Sequence, residues 1–198
     1  GRDEADALAS GEAALTTPMA VRRNQNTIRI STGDAALDHM VNTWLPLQFQ
    51  NARLGARTGF YQCSGAWGFR DQLQDSCAEL LLNPAHTREH LLRCARRQFE
   101  EGDVLHWWHR LPGRRLRGVR TRCSDDLVWL PYVTALYVEF TGDTGVLEEQ
   151  VPFLSAEELS PEEDERYFTP SVSEQTASLM EHCRRAIRRD SFGEHGLP

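Results

Sequence analysis

The stretch SDDLVWLPYVTALYVEFT, residues 124–141, decides the fold class, because apolar side chains occur on almost every side of it. A helix without a polar face is usually covered on both sides by other elements. Ser124 can cap the start of such a helix, and Gly142 can end it in a left-handed conformation. The stretch therefore predicts a helix that is buried on both sides.

Amphipathic helices are predicted on either side of the buried one. Apolar residues recur three and four positions apart in the ranges 34–54, 71–82, 87–101 and 173–189. This is the spacing of a helix with one buried face. Pro46 would kink the first of these helices.

Strand signals are scarce in the sequence. Only TIRIS near residue 29 and GVRTR near residue 120 are candidates for strands, and both are short. Residues 146–150 predict a further helical piece, and residues 155–171 predict an acidic surface loop. Amphipathic helices that alternate with a fully buried one predict an all-α fold, in which inner helices are wrapped by outer ones.

Composition disfavours several classes of protein. The net charge is −7 and all 22 basic residues are arginine, so nucleic acid is not expected as a partner. No segment reaches the roughly 18 apolar residues of a membrane-spanning helix, and residues 1–27 predict a polar lead-in. The five cysteines are dispersed and form no CxxC pair. This pattern favours reduced thiols in a cytosolic setting over disulfides or a zinc site.

Residues 65–75, GAWGFRDQLQD, are the first candidate for chemistry. Asp71 and Asp75 lie four positions apart, so both would project from the start of one helix. Carboxylates in that position stabilise free N–H groups and the helix dipole. The preceding Trp67 and Phe69 offer flat apolar faces, which cover the C–H face of a sugar while polar groups bind its hydroxyls. From this stretch alone, helix capping and sugar binding are equally good interpretations.

The stretch DVLHWWH, residues 103–109, places His106 and His109 around Trp107 and Trp108. A metal site would need further ligands, and nothing nearby supplies them in a recognisable spacing. No metal is therefore expected. Adjacent tryptophans are more often part of a packed corner, although they also offer a stacking surface for a saccharide.

Asp125 and Asp126 fall in the first turn of the predicted buried helix, where carboxylates stabilise the helix dipole. The pair lacks the third acid of a DDxxD metal motif. The chain also contains no GxSxG, no P-loop and no GxGxxG sequence. Nucleophilic and nucleotide-dependent chemistry both lose support.

Five segments in order resemble the catalytic domain of the inverting glycoside phosphorylases of glycoside hydrolase family 94. The resemblance covers residues 28–198 and is closest to the domain type found in cyclic β-1,2-glucan synthases and β-1,2-oligoglucan phosphorylases. The segments are NARLGARTGFYQCSGAWGFRDQLQDSCAELL from residue 51, QFEEGDVLHWWH from 98, GVRTRCSDDLVWLPYV from 118, TGDTGVLEEQVPFL from 141 and EHGLP from 194.

The resemblance implies a partial (α/α)6 barrel with a sugar pocket at the ends of its inner helices. In such enzymes the Arg-Asp pair of the FRD motif binds the transferred glycosyl unit, which assigns Arg70 and Asp71 here. The resemblance also implies further residues that line or support the pocket: Gln74, Asp75, Trp107, His109 and Asp126.

The reaction implied by the resemblance is reversible phosphorolysis with inversion. An aspartic acid protonates the glycosidic oxygen while inorganic phosphate attacks the anomeric carbon from the opposite face. Phosphate is thus a co-substrate and no cofactor is expected. The family's general acid lies in a GDWNDG-like motif beyond the counterpart of HGLP, and the sequence ends at Pro198. No catalytic residue is therefore assigned in this chain.

The partner expectations follow from the same resemblance. The chain is expected to bind a β-glucan or oligosaccharide and to need the remainder of its polypeptide to complete the barrel; a homo-oligomer stays open. It is expected in the cytoplasm, or at the cytoplasmic face of the inner membrane within a larger protein. Two other readings stay open: a non-catalytic saccharide-binding or structural helical module, and a hydrolase that uses a different acid such as Asp125.

Overall fold

The structure, a computed structural model, describes residues 29–55, 65–110 and 116–189. Two π-helical turns, Met40–Trp44 and Gln50–Leu54, follow the first two helices, and a 3-10 helix spans Thr144–Glu148. The α-helices are α1 (Ala35–His39), α2 (Leu45–Phe49), α3 (Phe69–Leu80), α4 (Pro84–Ala95), α5 (Asp126–Thr141) and α6 (Leu179–Arg189). The strands are β1 (Trp67–Gly68), β2 (Leu105–Arg110), β3 (Leu116–Thr121), β4 (Gln150–Ser155), β5 (Glu165–Phe168) and β6 (Ser171–Ser178).

The predicted all-α fold, and with it the partial (α/α)6 barrel, is wrong for the described residues, which mix helices and sheets. One antiparallel sheet has the strand order β1-β2-β3-β5, and β4 pairs with β6 in a second antiparallel sheet. Strand preference depends on pairing and burial more than on the local pattern of residues. The sequence pattern therefore identified the helices better than it identified the strands.

Two predicted helices are longer than the observed ones. Helix α4 ends at Ala95 instead of continuing to residue 101, because the chain turns back and the N–H of Phe99 bonds the carbonyl of Asp103. Helix α6 begins at Leu179, since the eight residues before it pair with β4 as strand β6. In both places long-range backbone pairing replaces the helix that periodicity predicted.

The stretch that decided the predicted fold class does form a helix, α5. Gly142 ends it at φ 72°, as expected, but its N-cap residue is Asp125 rather than Ser124 and makes no side-chain capping bond. Tyr132 and Phe140 remain 54% and 50% exposed. Among the described residues, α5 is therefore covered on one side only, and burial on both sides is not observed.

The remaining predictions of secondary structure are confirmed in some segments and wrong in others. The helix predicted over 71–82 is α3, and GVRTR lies in β3 and the residues after it. Residues 34–54 are helical, but α-helix and π-helix alternate there. The predicted acidic loop of 155–171 contains β5, and the described part of TIRIS, residues 29–31, has no strand. Residues 1–27 and the segment EHGLP lie outside the described residues.

Helix α3 lies at the centre of the core and packs against both α4 and α5. Phe69 and Leu73 of α3 are fully buried with Leu91 of α4 and with Leu130 and Val133 of α5. Because α3 begins directly after β1, its first turn lies beside the four-stranded sheet. In the described part of the chain, no helix has the length and apolar character needed to span a membrane.

Candidate functional site

The starts of α3 and α5 are joined by an ion pair between Arg70 and Asp125. Arg70 Nη1 donates to Asp125 Oδ2 at 2.6 Å, and the two side chains are 38% and 41% exposed. Burial opposes ionisation of Asp125, but the hydrogen bonds from Arg70 and Cys123 hold the pKa of this carboxyl below its ordinary value. The pair is therefore charged and reachable from solvent at neutral pH.

A second pair joins the sheet to α5. His106 Nδ1 lies 2.7 Å from Asp126 Oδ2, and the Asp126 side chain is only 2% exposed. The hydrogen bond to Asp126 raises the pKa of His106, whereas burial raises the pKa of Asp126 against the influence of His106. Asp126 Oδ1 is buried and has no hydrogen-bond partner among the described residues.

A β-bulge positions His106 for this contact. The register between β2 and β3 shifts between Leu105 and Trp107, so His106 is the extra residue on β2. Bulges redirect side chains and are common beside active sites. Here the bulge allows His106 to face the start of α5 while Leu105 and Trp108 remain in the core.

Cys123 completes the cluster, and sequence reasoning missed it. Its Sγ donates to Asp125 Oδ1 at 3.1 Å. Burial raises the pKa of the Cys123 thiol to about 11, and the neighbouring carboxylates add to the effect. The ligand atoms of His106, Cys123 and Asp126 all lie within 4.8 Å of one another. The available signal was the RCSDD sequence, which places Cys123 two residues before Asp125.

Asp71 occupies the position that helix capping predicts. Gly68 is the N-cap of α3, and a Cβ on Gly68 would collide with Asp71 Oδ2. The carboxylate of Asp71 thus lies back over the start of its own helix, where an acidic group is favourable. Arg70, its partner in the predicted Arg-Asp pair, reaches across to α5 instead. The local capping interpretation of Asp71 is compatible with this geometry.

The next turn of α3 carries the other predicted residues of this helix. Gln74 is half-buried, whereas Asp75 is buried at 8% exposure. Gln72, which was not predicted, is fully buried, and neither of its amide atoms has a hydrogen-bond partner among the described residues. Polar side chains thus extend along α3 from the Arg70 pair into the protein.

Trp107 and His109 belong to an aromatic surface on the sheet. The ring centroid of Trp107 lies 5.4 Å from that of His109 and 5.3 Å from that of Tyr167 on β5. The guanidinium of Arg117 lies over Tyr167 at 4.4 Å from the ring centroid. Sequence reasoning missed Tyr167 because it lies in the predicted acidic loop. His109 contacts Tyr167, with 3.5 Å between its Nδ1 and the hydroxyl, while His106 contacts Asp126.

Comparison with protein families gives one family for most of the chain. A family model described as the glycosyl hydrolase 94 superfamily, catalytic domain, matches residues 22–198. The resemblance found in the sequence is thus confirmed. The matched range includes every residue of the candidate site.

Individual relatives have names that concern saccharides. The chain is 45% identical over 173 residues to the cyclic beta-(1,2)-glucan synthase NdvB of Rhizobium meliloti (strain 1021), an alignment that covers 86% of this chain and 6% of that protein. It is 29% identical to the solabiose phosphorylase of Paenibacillus borealis, over 86% of this chain and 18% of the relative. It is 28% identical to the 1,2-beta-oligoglucan phosphorylase of Listeria innocua, over 66% of this chain and 11% of the relative. The chain therefore spans less than a fifth of the length of these curated relatives.

Proposed function

The chain belongs to the glycosyl hydrolase 94 catalytic-domain family, and we propose that it binds the glucosyl unit of a β-1,2-linked glucan at the starts of α3 and α5. One observation carries the proposal: Arg70, Asp125, Asp126 and His106 converge there from three separate segments. The carbohydrate-active family and the names of the relatives support a saccharide as the ligand.

The chemistry of the cluster suits sugar hydroxyls. A carboxylate accepts hydrogen bonds from hydroxyl groups, and a guanidinium donates hydrogen bonds in a fixed geometry. Asp125 and Arg70 are both partly exposed, so each can turn from its partner towards a ligand. His106 and Asp126 form a more buried pair that would support the pocket from behind.

The aromatic surface offers the complementary contact. Trp107 directly follows His106 on β2, so the polar cluster and the aromatic surface are contiguous along one strand. Aromatic rings bind the C–H face of a pyranose while polar groups bind its edge. Trp107, His109 and Tyr167 would accordingly contact the glucan beside the glucosyl unit held by Arg70 and Asp125. Gln74 and Asp75 would support the pocket from the next turn of α3.

The reaction that we propose for the whole protein is glucosyl transfer between the β-glucan and inorganic phosphate. Two of the relatives are named as phosphorylases, which supports phosphate as the co-substrate. The residues of this chain bind and orient the sugar, while the remainder of the polypeptide supplies the general acid and the phosphate site. We further propose a location in the cytoplasm or at the cytoplasmic face of a membrane, which the free thiols of the described residues support.

Substitution of Asp71 in the full-length enzyme tests the proposal. We expect Asp71→Asn to lower kcat/KM for phosphorolysis by roughly 100-fold or more, with the melting temperature nearly unchanged. Glu181→Gln is the matched control, because Glu181 is also an acidic residue in the first turn of a helix, α6, and lies outside the site. It should leave kcat/KM unchanged.

The opposite pattern would assign Asp71 to capping alone. In that case Asp71→Asn lowers the melting temperature while the activity of each folded molecule is preserved. Arg70→Gln is an independent test, because the guanidinium of Arg70 bonds Asp125 of α5 and not the start of its own helix. Full activity in both variants would mean that the start of α3 does not bind the sugar.

A further inference from the structure

Three potential metal ligands meet beside the Arg70–Asp125 pair, and they come from three segments of the chain. His106 lies on β2, Cys123 follows β3 and Asp126 begins α5. Their ligand atoms all lie within 4.8 Å of one another. We propose that His106, Cys123 and Asp126 bind a thiophilic divalent cation, of which Zn²⁺ is the best match.

The type of each donor points to this class of ion. Imidazole, thiolate and carboxylate are the three protein ligands that Zn²⁺ accepts, whereas Mg²⁺ and Ca²⁺ prefer oxygen ligands throughout. Three protein ligands with a fourth position open to solvent or substrate is a common zinc arrangement. The trio thus has the composition and the number of ligands of an open zinc site.

The distances between the ligand atoms require only a small adjustment. With zinc–ligand bonds of about 2.0–2.3 Å, the ligand atoms of a tetrahedral site are about 3.5 Å apart. His106 Nδ1 and Asp126 Oδ2 are already closer than this, at 2.7 Å, so these two atoms separate slightly as the ion enters. Cys123 is only half-buried, and its side chain can move towards the pair by rotation about one torsion angle.

A second observation points to a bound cation independently of the donor set. Asp126 is 1% exposed, and its Oδ1 has no hydrogen-bond partner among the described residues. A buried carboxylate with an unpartnered oxygen is unfavourable unless a positive charge compensates it. Asp125 contributes further negative charge through the oxygen that faces Cys123 Sγ, while Arg70 neutralises its other oxygen.

Binding changes the protonation of two ligands. The thiol of Cys123 loses its proton to solvent and its sulfur bonds to the ion as a thiolate. The hydrogen bond between His106 and Asp126 is replaced by a bond from each residue to the ion. Its proton is released to solvent, and the ring of His106 binds through Nδ1 as neutral imidazole with its proton on Nε2. No oxidation occurs. This site does not use His109, which contacts Tyr167 and Trp107 instead.

Cobalt titration of the metal-free chain tests the proposal directly. Co²⁺ occupies zinc sites and gives an intense near-ultraviolet absorption when a thiolate is a ligand. We expect this band to appear with one equivalent of Co²⁺ and to disappear on addition of Zn²⁺. Cys123→Ser should abolish the band, and His106→Gln and Asp126→Asn should each weaken Co²⁺ binding by more than about tenfold.

Two variants serve as controls. Cys77→Ser removes another half-buried free thiol, and His109→Gln removes the histidine nearest in sequence; neither should change the titration. The far-ultraviolet circular dichroism of each variant reports whether it folds. No thiolate band in the unmodified chain, or a band that persists in folded Cys123→Ser, would overturn the proposal.

Discussion

Two arginines in this protein meet carboxylates in opposite ways. Arg120 on β3 is 1% exposed, and its guanidinium donates to both oxygens of Asp103 at 2.7 Å and to Glu101 at 2.9 Å. It also donates to the backbone carbonyls of Ala156 and Glu157. All three of its nitrogens therefore donate to groups of the protein itself.

Within the described part of the chain, Arg70 pairs with one carboxylate, that of Asp125, and lies partly in solvent. A buried guanidinium whose N–H donors all have partners holds secondary-structure elements together. A guanidinium with one exposed partner keeps donors available for a ligand. The comparison thus separates an arginine that stabilises the fold from one that is suited to binding. Replacing each arginine by alanine tests the two roles separately.

The largest expected effect concerns Arg120. Arg120→Ala leaves the carboxylates of Asp103 and Glu101 without their shared cation in a largely buried position. We expect the free energy of unfolding to fall by about 3–5 kcal/mol, as for other buried ion pairs that lose one partner. Urea denaturation followed by circular dichroism measures this loss.

Arg117→Ala is the matched control for that measurement. Arg117 lies on the same strand but is exposed, so its removal should cost no more than about 1 kcal/mol. Equal losses in the two variants would contradict the view that the Arg120 cluster stabilises the fold.

A smaller change in stability is expected for Arg70. Because both members of its ion pair are more than a third exposed, Arg70→Ala should lower the free energy of unfolding by less than about 1 kcal/mol. In the full-length enzyme, the same change should lower kcat/KM by a large factor. A loss of stability similar to that of Arg120→Ala, with kcat/KM retained, would remove the contrast between the two arginines.

The family was predictable from the sequence, because short motifs in a fixed order carry it, whereas the sugar-binding roles of its residues stay predictions. Arg70, Asp71 and Asp126 were selected from short segments, and the family to which those segments belong is confirmed. Cys123 and Tyr167 were missed for a physical reason. Tyr167 joins the site because β5 pairs with β3. Cys123 bonds the nearby Asp125 but meets His106 of β2 only in the folded chain, and a local pattern encodes neither contact.

The fold was less predictable than the family. Helical periodicity identified α3 and α5, where apolar spacing and end residues agree. It failed at β6, because the polar and apolar residues before Leu179 suit a helix locally yet gain backbone hydrogen bonds from β4. A different prediction failed at β2, where the adjacent tryptophans of HWWH suggested a packed corner and instead alternate across a sheet.

The smallest expected effect is a pH dependence of the free energy of unfolding, which comes from the His106–Asp126 pair and not from the Arg120 cluster. The hydrogen bond to Asp126 raises the pKa of His106 above its ordinary value of 6.5. A base with a higher pKa in the folded state binds its proton more tightly there, so its contribution is complete below pH 6.5 and declines as the pH rises through the raised pKa. We therefore expect the difference in free energy of unfolding between the unmodified chain and His106→Gln to shrink between about pH 6 and about pH 8.

Urea denaturation at several pH values in this range measures the difference. Arg117→Ala is the control, and its difference from the unmodified chain should stay constant. A difference that grows with pH would mean that His106 is not stabilised as a cation by Asp126.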